Sequence, residues 1–383
     1  MEAELDTKEF VVIDNGSGFI KAGFSGEDSP KVVIPSVLGK YDPTEPGRPA
    51  ITKFGNEIDL KDPHCALYFP IERSIIKDTD QDWENMRDIW EHLIKDQLQL
   101  DPSTINVLIT DPVLNSRENK QRISQIFFES IGVSSLGIMS SPVLSLFSTG
   151  KTRGIVVDIG DGSTSIVPIF EGFALPHATK RIPLSGIDIT NYLLQNLSMH
   201  LKPEQFTVAR GIKEEMLVVP QDYEKTMNGK DLITDEESCY ELPSGEIIKI
   251  NKQTRVNAAE ILFRPSIINK EIGGIPEITA ESIFKCDIDL RADMYSNISL
   301  SGGTSMMRGF HERMEKEIRT IMSGTVMGNE IKVVSDSFRQ HAAWIGGSML
   351  ASLSTFGQFM VMSKAEWEAE GTIRQSLVHK FTF

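Results

Sequence analysis

"VVIDNGSGFI", Val11–Ile20, decides the fold. Phe10–Ile13 is an apolar run, followed by Asp14 and the small-residue turn Gly16-Ser17-Gly18. An uninterrupted apolar run of this length is the pattern of a strand covered on both faces. Gly-Ser-Gly then reads as a sharp turn into a second strand. The same design recurs about 145 residues later in "GIVVDIGDGSTSIVPIF", Gly154–Phe170, with Asp158 and Asp161 beside Gly160, Gly162 and Ser163. Two such hairpins point to two duplicated halves that face each other.

Each turn offers backbone N–H groups and small residues that permit close approach, the makings of an anion nest. A carboxylate beside such a nest repels phosphate unless a cation lies between them. Asp14, Asp158 and Asp161 therefore imply a hydrated Mg2+ between carboxylates and phosphates, with Lys21 as a point charge on the phosphates. One such turn alone is as a rule only a hairpin. The inference rests on two matched turns together with a third glycine cluster, "LSGGTSM", Leu300–Met306. This reads as a strand end, a turn and a helix start in "MRGFHERMEKEI". A helix N-terminus at Gly302, Gly303 and Thr304 suits an α-phosphate or ribose.

The rest of the chain bounds the answer. Its 383 residues allow one or two domains with a large core, and 40% hydrophobic with 24% charged residues is ordinary globular composition. A net charge of -15 argues against sequence-independent binding to nucleic acid or to an anionic membrane. Cys65, Cys239 and Cys286 are too scattered for a disulfide frame or a zinc site. "MEAELDTKEF" has no basic start or apolar core, unlike a signal peptide, and no apolar run reaches the roughly 18 residues of a membrane span. These features predict a soluble intracellular protein. "DWENMRDIWEHLIKDQL" carries Met86, Ile89, Trp90 and Leu93 at helical spacing, "NKQRISQIFFESIG" is also helical, and "INVLITDP" is a short buried strand. The alternation predicts an α/β chain with covered sheets. "GKYDPTEPGRPAITKFGNEIDLKDP" reads as an exposed excursion stiffened by prolines at 43, 46 and 49.

"VVIDNGSGFIKAGFSGEDSPK", "DIGDGSTSIVPIFEGFALPHA", "LSGGTSMMRGF" and "WIGGSMLASLSTF" together resemble actin and its related proteins, collinearly from about Phe10 to Phe383. The resemblance implies an α/β chain of the actin-type ATPase fold, with two duplicated lobes of two subdomains each around a central nucleotide cleft. The outer lobe would be 1–148 plus 342–383, with a subdomain at about 33–70; the inner lobe would be 149–341, with a subdomain at about 186–273. Carried over by position, the first phosphate loop is Gly16, Ser17 and Gly18 with Asp14 and Lys21. The second is Gly160, Asp161, Gly162 and Ser163 with Asp158. The nucleoside side is Arg210, Lys213, Glu214, Gly302, Gly303, Thr304 and Met306, with Met307 in place of an aromatic residue and Gln340 in place of a lysine. The implied cofactors are ATP or ADP and Mg2+.

The departures fall on water handling. The family's water-orienting glutamine is replaced by Ser141, followed by Pro142, and its proton-carrying histidine by Ser165. Removing both predicts ATP binding with weak or absent hydrolysis. A rearranged Ser141/Ser165 pair holding the water is the alternative. The excursion is shorter than the family's filament-building loop and lacks its apolar tip, and Arg48 is expensive to bury there unpaired. This predicts impaired self-assembly unless Ile51 and Phe54 serve as a substitute tip. Phe170, Phe173, Ile345 and Met349 match the family's apolar groove, which takes a neighbour's loop or an amphipathic helix.

A good groove with a poor loop describes a cap on an actin-like filament, or a monomer held by partners. Arg73 replaces the family's modified histidine, and His64 with Cys65 is no more than a weak metal hint. The expectation is a cytoplasmic, cytoskeletal nucleotide-binding structural subunit that joins actin or actin-like subunits, with neither nucleic acid nor membrane insertion. The rivals are an active ATPase that forms dynamic filaments, and a sugar kinase on the same core. A chaperone ATPase would carry a peptide-binding domain after Phe383.

Overall fold

The structure is a computed structural model that describes residues 9–41, 51–60, 62, 64–197, 203–229, 237–242, 245–323 and 330–369. The prolines at 43, 46 and 49 and Arg48 lie outside the described residues, as does the chain after 369. The chain divides into two compact units. The first is residues 1–152, 172–174 and 341–383; the second is residues 153–171 and 175–340.

In the first unit a mixed sheet runs in the order Met362–Ser363, Ser135–Ser140, Asn106–Asp111, Phe10–Asn15, Phe19–Phe24, Val32–Pro35. Phe10–Asn15 pairs antiparallel with Phe19–Phe24, which sets Asp14 opposite Lys21, and parallel with Asn106–Asp111. Its apolar run is explained by cover on both faces. Val11 and Ile13 enter one cluster with Met86, Ile89, Trp90 and Leu93. Phe10 and Val12 enter another with Leu144 and Trp344. Gly346 and Gly347 let the Ala342–Ala351 helix lie directly on its neighbours. A Cβ on Gly346 would stand 1.7 Å from Leu144 O, and one on Gly347 would stand 2.9 Å from Val12 Cγ1.

The helix predicted around Trp90 is Asp80–His92, continued by a wider turn over Leu93–Gln97. A separate small sheet places Leu38–Tyr41 between Ile51–Phe54 and Cys65–Tyr68. There Ile51 is exposed, but Phe54 stacks on the His92 ring at 4.3 Å. Phe54 is therefore engaged in packing within its unit. Among the described residues no cluster of three His, Cys, Asp or Glu accompanies His64 and Cys65. No helix among them is long and apolar enough to cross a membrane.

The second unit repeats the arrangement. Gly154–Ile159 pairs antiparallel with Thr164–Phe170 and parallel with Ile298–Ser301, so Asp158 lies between Ser165 and Ser301 in register. Lys180–Ile182 extends one side and Val333–Val334 the other. Ile155, Val157, Ile189, Ile212, Ile298 and Phe310 share one buried cluster. One expectation is corrected here. After Ser301 comes a single tight turn, Gly303–Met306, and the α-helix begins only at Phe310. Met307 is extended and Gly309 left-handed, and the two together separate turn from helix. Gly302, Gly303 and Thr304 therefore do not form the helix N-terminus.

Candidate functional site

Each unit carries its own cluster. In the first, Asp14 ends a buried strand and its carboxylate is held on both oxygens. Lys21 Nζ lies 2.8 Å from Oδ2, and Thr110 Oγ1 donates to Oδ1 at 3.0 Å. Thr110 also accepts from the Asn15 N–H at 2.9 Å, which ties the turn to the neighbouring parallel strand. The Gly16–Gly18 turn is gripped from outside: the Ser36 hydroxyl donates to Gly16 O, and the Ser36 N–H donates to Gly18 O at 3.2 Å.

Ser17 Oγ accepts from the Ser74 N–H at 3.1 Å. Ser74 and Arg73 form the two-residue turn between Ile71–Glu72 and Ile75–Ile76 with φ of 69° and 49°. Both values lie in the left-handed region that a tight hairpin of this kind demands. His341 belongs to this unit. Burial pushes its imidazole below the ordinary value; the charge of Lys21 adds to that and Asp14 opposes it. Its Nδ1 is buried and has no hydrogen-bond partner among the described residues.

In the second unit the Gly160 N–H donates to Ser163 O at 3.1 Å and closes the turn. Asp161, like Asp14, is paired with basic side chains. Lys213 Nζ lies 2.9 Å from Oδ1 and Arg210 Nη2 3.3 Å from Oδ2. Both bases project from the Pro203–Met216 helix, Lys213 being buried. Thr304 Oγ1 donates to Gly160 O at 2.9 Å, joining the Gly303–Met306 turn to the second loop. Gly186 N–H donates to Gly160 O at 3.1 Å.

Met306 is half-buried, Met307 buried, and Glu214 and Gln340 exposed. Ser165 is buried in its strand, and Ser141 opens the Ser141–Phe147 helix with its carbonyl taken by Ser145 Oγ at 3.0 Å. Of the groove residues, Phe173 and Met349 are exposed and Ile345 half-buried in the first unit. Phe170 belongs to the second, with the Arg153 guanidinium 4.6 Å over its ring.

The glycines show which parts of these clusters suit an anionic ligand. A Cβ on Gly303 would meet no atom within 4 Å, and one on Gly160 would meet only Ser163 O at 3.4 Å. On Gly186 it would press Thr304 Oγ1 at 2.6 Å and Lys213 Nζ at 3.0 Å. Gly160 and Gly303 therefore leave room for close approach to their backbone, which suits an anionic ligand. Asp14, buried at a strand end beside a glycine turn, fits a hydrated divalent cation. Ser36, Ser74, Thr110, Gly186, Arg339 and His341 are absent from the sequence reading. Their contacts span long stretches of chain, and no local motif marks them.

Two α/β units, each with an aspartate near the end of a strand that leads into a glycine turn, define a duplicated α/β chain. The family model described as Actin matches residues 5–209 and 201–383. The chain belongs to the actin family and has the actin-type fold. Members of this family generally bind nucleotide and Mg2+, associate with actin-like subunits and binding proteins, and are generally cytoskeletal.

Proposed function

We propose that the chain is an actin-like structural subunit that binds Mg-ATP and hydrolyses it weakly or not at all. One observation carries this reading: the aspartate-and-glycine-turn arrangement is complete in both units, while Ser141 and Ser165 stand at the water-handling positions. Gly16, Ser17, Gly18 and Lys21 bind phosphate from the first unit, and Gly160, Gly162 and Ser163 from the second. Lys213, Arg210, Glu214, Gly302, Gly303, Thr304, Met306, Met307 and Gln340 hold the nucleoside end. Asp14, Asp158 and Asp161 would hold a hydrated Mg2+, which would supply positive charge against the phosphates. Asp161 also pairs with Lys213 and Arg210.

Neither serine is an effective base near neutral pH. Ser165 is buried at its strand position opposite Asp158. Loss of general acid–base help alone slows a reaction roughly 10²–10⁴-fold. The test is to load the purified chain with Mg-ATP, remove the excess and identify the bound nucleotide by chromatography over hours. ATP is expected to persist. Conversion to ADP, with steady phosphate release that Asp158→Ala abolishes, would overturn the reading in favour of a dynamic ATPase. No retained nucleotide would overturn it altogether.

The short excursion without an apolar tip supports a second part of the proposal, a subunit of the cytoplasmic cytoskeleton that self-assembles poorly. Partner helices or actin-like subunits would dock on the exposed Phe173 and Met349, and capping of an actin-like filament follows from that pairing. Pelleting is expected to leave the chain in the supernatant alone and to carry it down with an actin-like filament. Long homopolymers in the pellet would refute impaired assembly.

A further inference from the structure

The second unit contains a grip that neither the family match nor the proposed nucleotide contacts call for. The Arg339 side chain runs alongside the Gly303–Met306 turn. Its Nε donates to Ser305 Oγ at 3.1 Å, one terminal nitrogen donates to Ser305 O at 2.8 Å, and the other to Asp336 O at 2.7 Å. Ser305 Oγ in turn donates to Gly302 O at 2.7 Å. The Gly302 N–H returns to the backbone O of Arg339 at 3.1 Å. Gly302 is thus held from both sides by one residue, through its N–H directly and through its carbonyl by way of Ser305.

The relay is planar and charge-assisted, the geometry in which arginine outperforms lysine. Ser305 is fully buried, so water does not replace the contact. The grip leaves Gly303 as the exposed corner of the turn, with Thr304 tied to Gly160 on its far side.

We propose that Arg339 is the positioning residue of the nucleoside end: it touches no ligand itself and holds the Gly302–Met306 turn in the shape that receives one. This rests on the nucleotide reading above. Its distinguishing consequence is selective. A ligand that reaches the Gly302–Met306 turn should feel the loss of Arg339, and one that contacts only the phosphate loops should not.

The full chain and its Arg339→Lys and Arg339→Ala variants are titrated with a fluorescent adenine nucleotide. Mg-ATP and Mg-tripolyphosphate then serve as competitors, with Tm measured in parallel. Both variants are expected to weaken Mg-ATP about tenfold, about 1.4 kcal/mol, and to change tripolyphosphate by less than twofold. Lysine should fail to rescue, because it cannot span Ser305 and Asp336 at once. Should Arg339→Ala not fold, Ser305→Ala deletes the relay hydroxyl and is read in the same way.

Equal weakening of both competitors would show a general loosening of the unit and overturn the proposal. Unchanged Mg-ATP affinity in folded variants would overturn it equally. If the parent chain binds neither competitor, the nucleotide reading itself fails and this proposal falls with it, a result distinct from either of the others.

Discussion

Gly302 and Gly303 are adjacent and chemically identical, yet alanine should have opposite consequences at the two positions. Gly302 has φ 86° and ψ 148°, close to a backbone region reserved in effect for glycine, where another residue costs about 1–3 kcal/mol. The added Cβ would stand 2.3 Å from Ile159 O and 2.8 Å from Asp158 Oδ1. The first of these is backbone at the end of a central strand and cannot swing away, so overpacking adds about 1–3 kcal/mol. Gly302→Ala should therefore destabilise the second unit by about 3 kcal/mol, the low-to-middle part of that sum, because the turn can shift a little.

At Gly303 no atom lies within 4 Å of a Cβ, and Gly303→Ala should change stability by less than about 0.5 kcal/mol. It should instead lower Mg-ATP affinity, since the methyl stands on the face offered to the ligand. Urea denaturation supplies the midpoints, and hydrogen exchange across Gly154–Ile159 locates the loss in the strand that Gly302 touches. Equal destabilisation by the two variants would refute this reasoning about space. So would a Gly303→Ala variant that binds Mg-ATP as well as the parent.

Three further outcomes are expected. Ser141→Gln combined with Ser165→His should raise phosphate release from bound Mg-ATP by about 10²-fold, the low end of what acid–base help supplies; a release rate unchanged by the pair would remove those positions from the account of weak hydrolysis. Ser74→Gly relieves a φ of 69° while keeping the N–H that reaches Ser17, and should stabilise by about 0.5–1 kcal/mol in urea, the left-handed penalty less the greater freedom of glycine when unfolded. A loss of stability would mean that the Ser74 hydroxyl outweighs the strain. Burial pushes the Cys286 thiol up from 9.0 to about 11; because the folded value is the higher, the stability it contributes is full below pH 9 and lost as pH rises through 11. Iodoacetamide at pH 8 should accordingly modify the exposed Cys239 well before Cys286, and Cys286→Ala should flatten the alkaline fall in urea midpoint between pH 9 and 11, a fall of equal steepness in the variant counting against the assignment.

The parts of this molecule legible in its sequence are those whose cause is local. Phe10–Ile13 could be read as a doubly covered strand because cover on both faces demands an unbroken apolar run; the Val11 and Val12 side chains do go to different clusters. The hairpin from Phe10 to Phe24 could be read from its short Gly16-Ser17-Gly18 turn, and its register sets Asp14 opposite Lys21. The helix after Ser301 begins within the stretch Met307–Ile318 that the sequence marks as helical, but Gly302–Thr304 do not begin it, because Met307 and the left-handed Gly309 separate turn from helix. The supports of the candidate site were hidden for a different reason. Thr110 reaches Asp14 across 96 positions and Arg339 reaches Ser305 across 34, and such pairings exist only once the sheets have brought distant segments together. Arg73-Ser74 is the sharpest case. Two non-glycine residues with positive φ break the local preference of their own turn, so sequence reasoning would reject that hairpin. The structure keeps it with Ser74 bound to Ser17, and the strain is held by a contact 57 residues away. Where local rules fail in this way, the tertiary partner names the constraint, and here the partner is the turn proposed to bind phosphate.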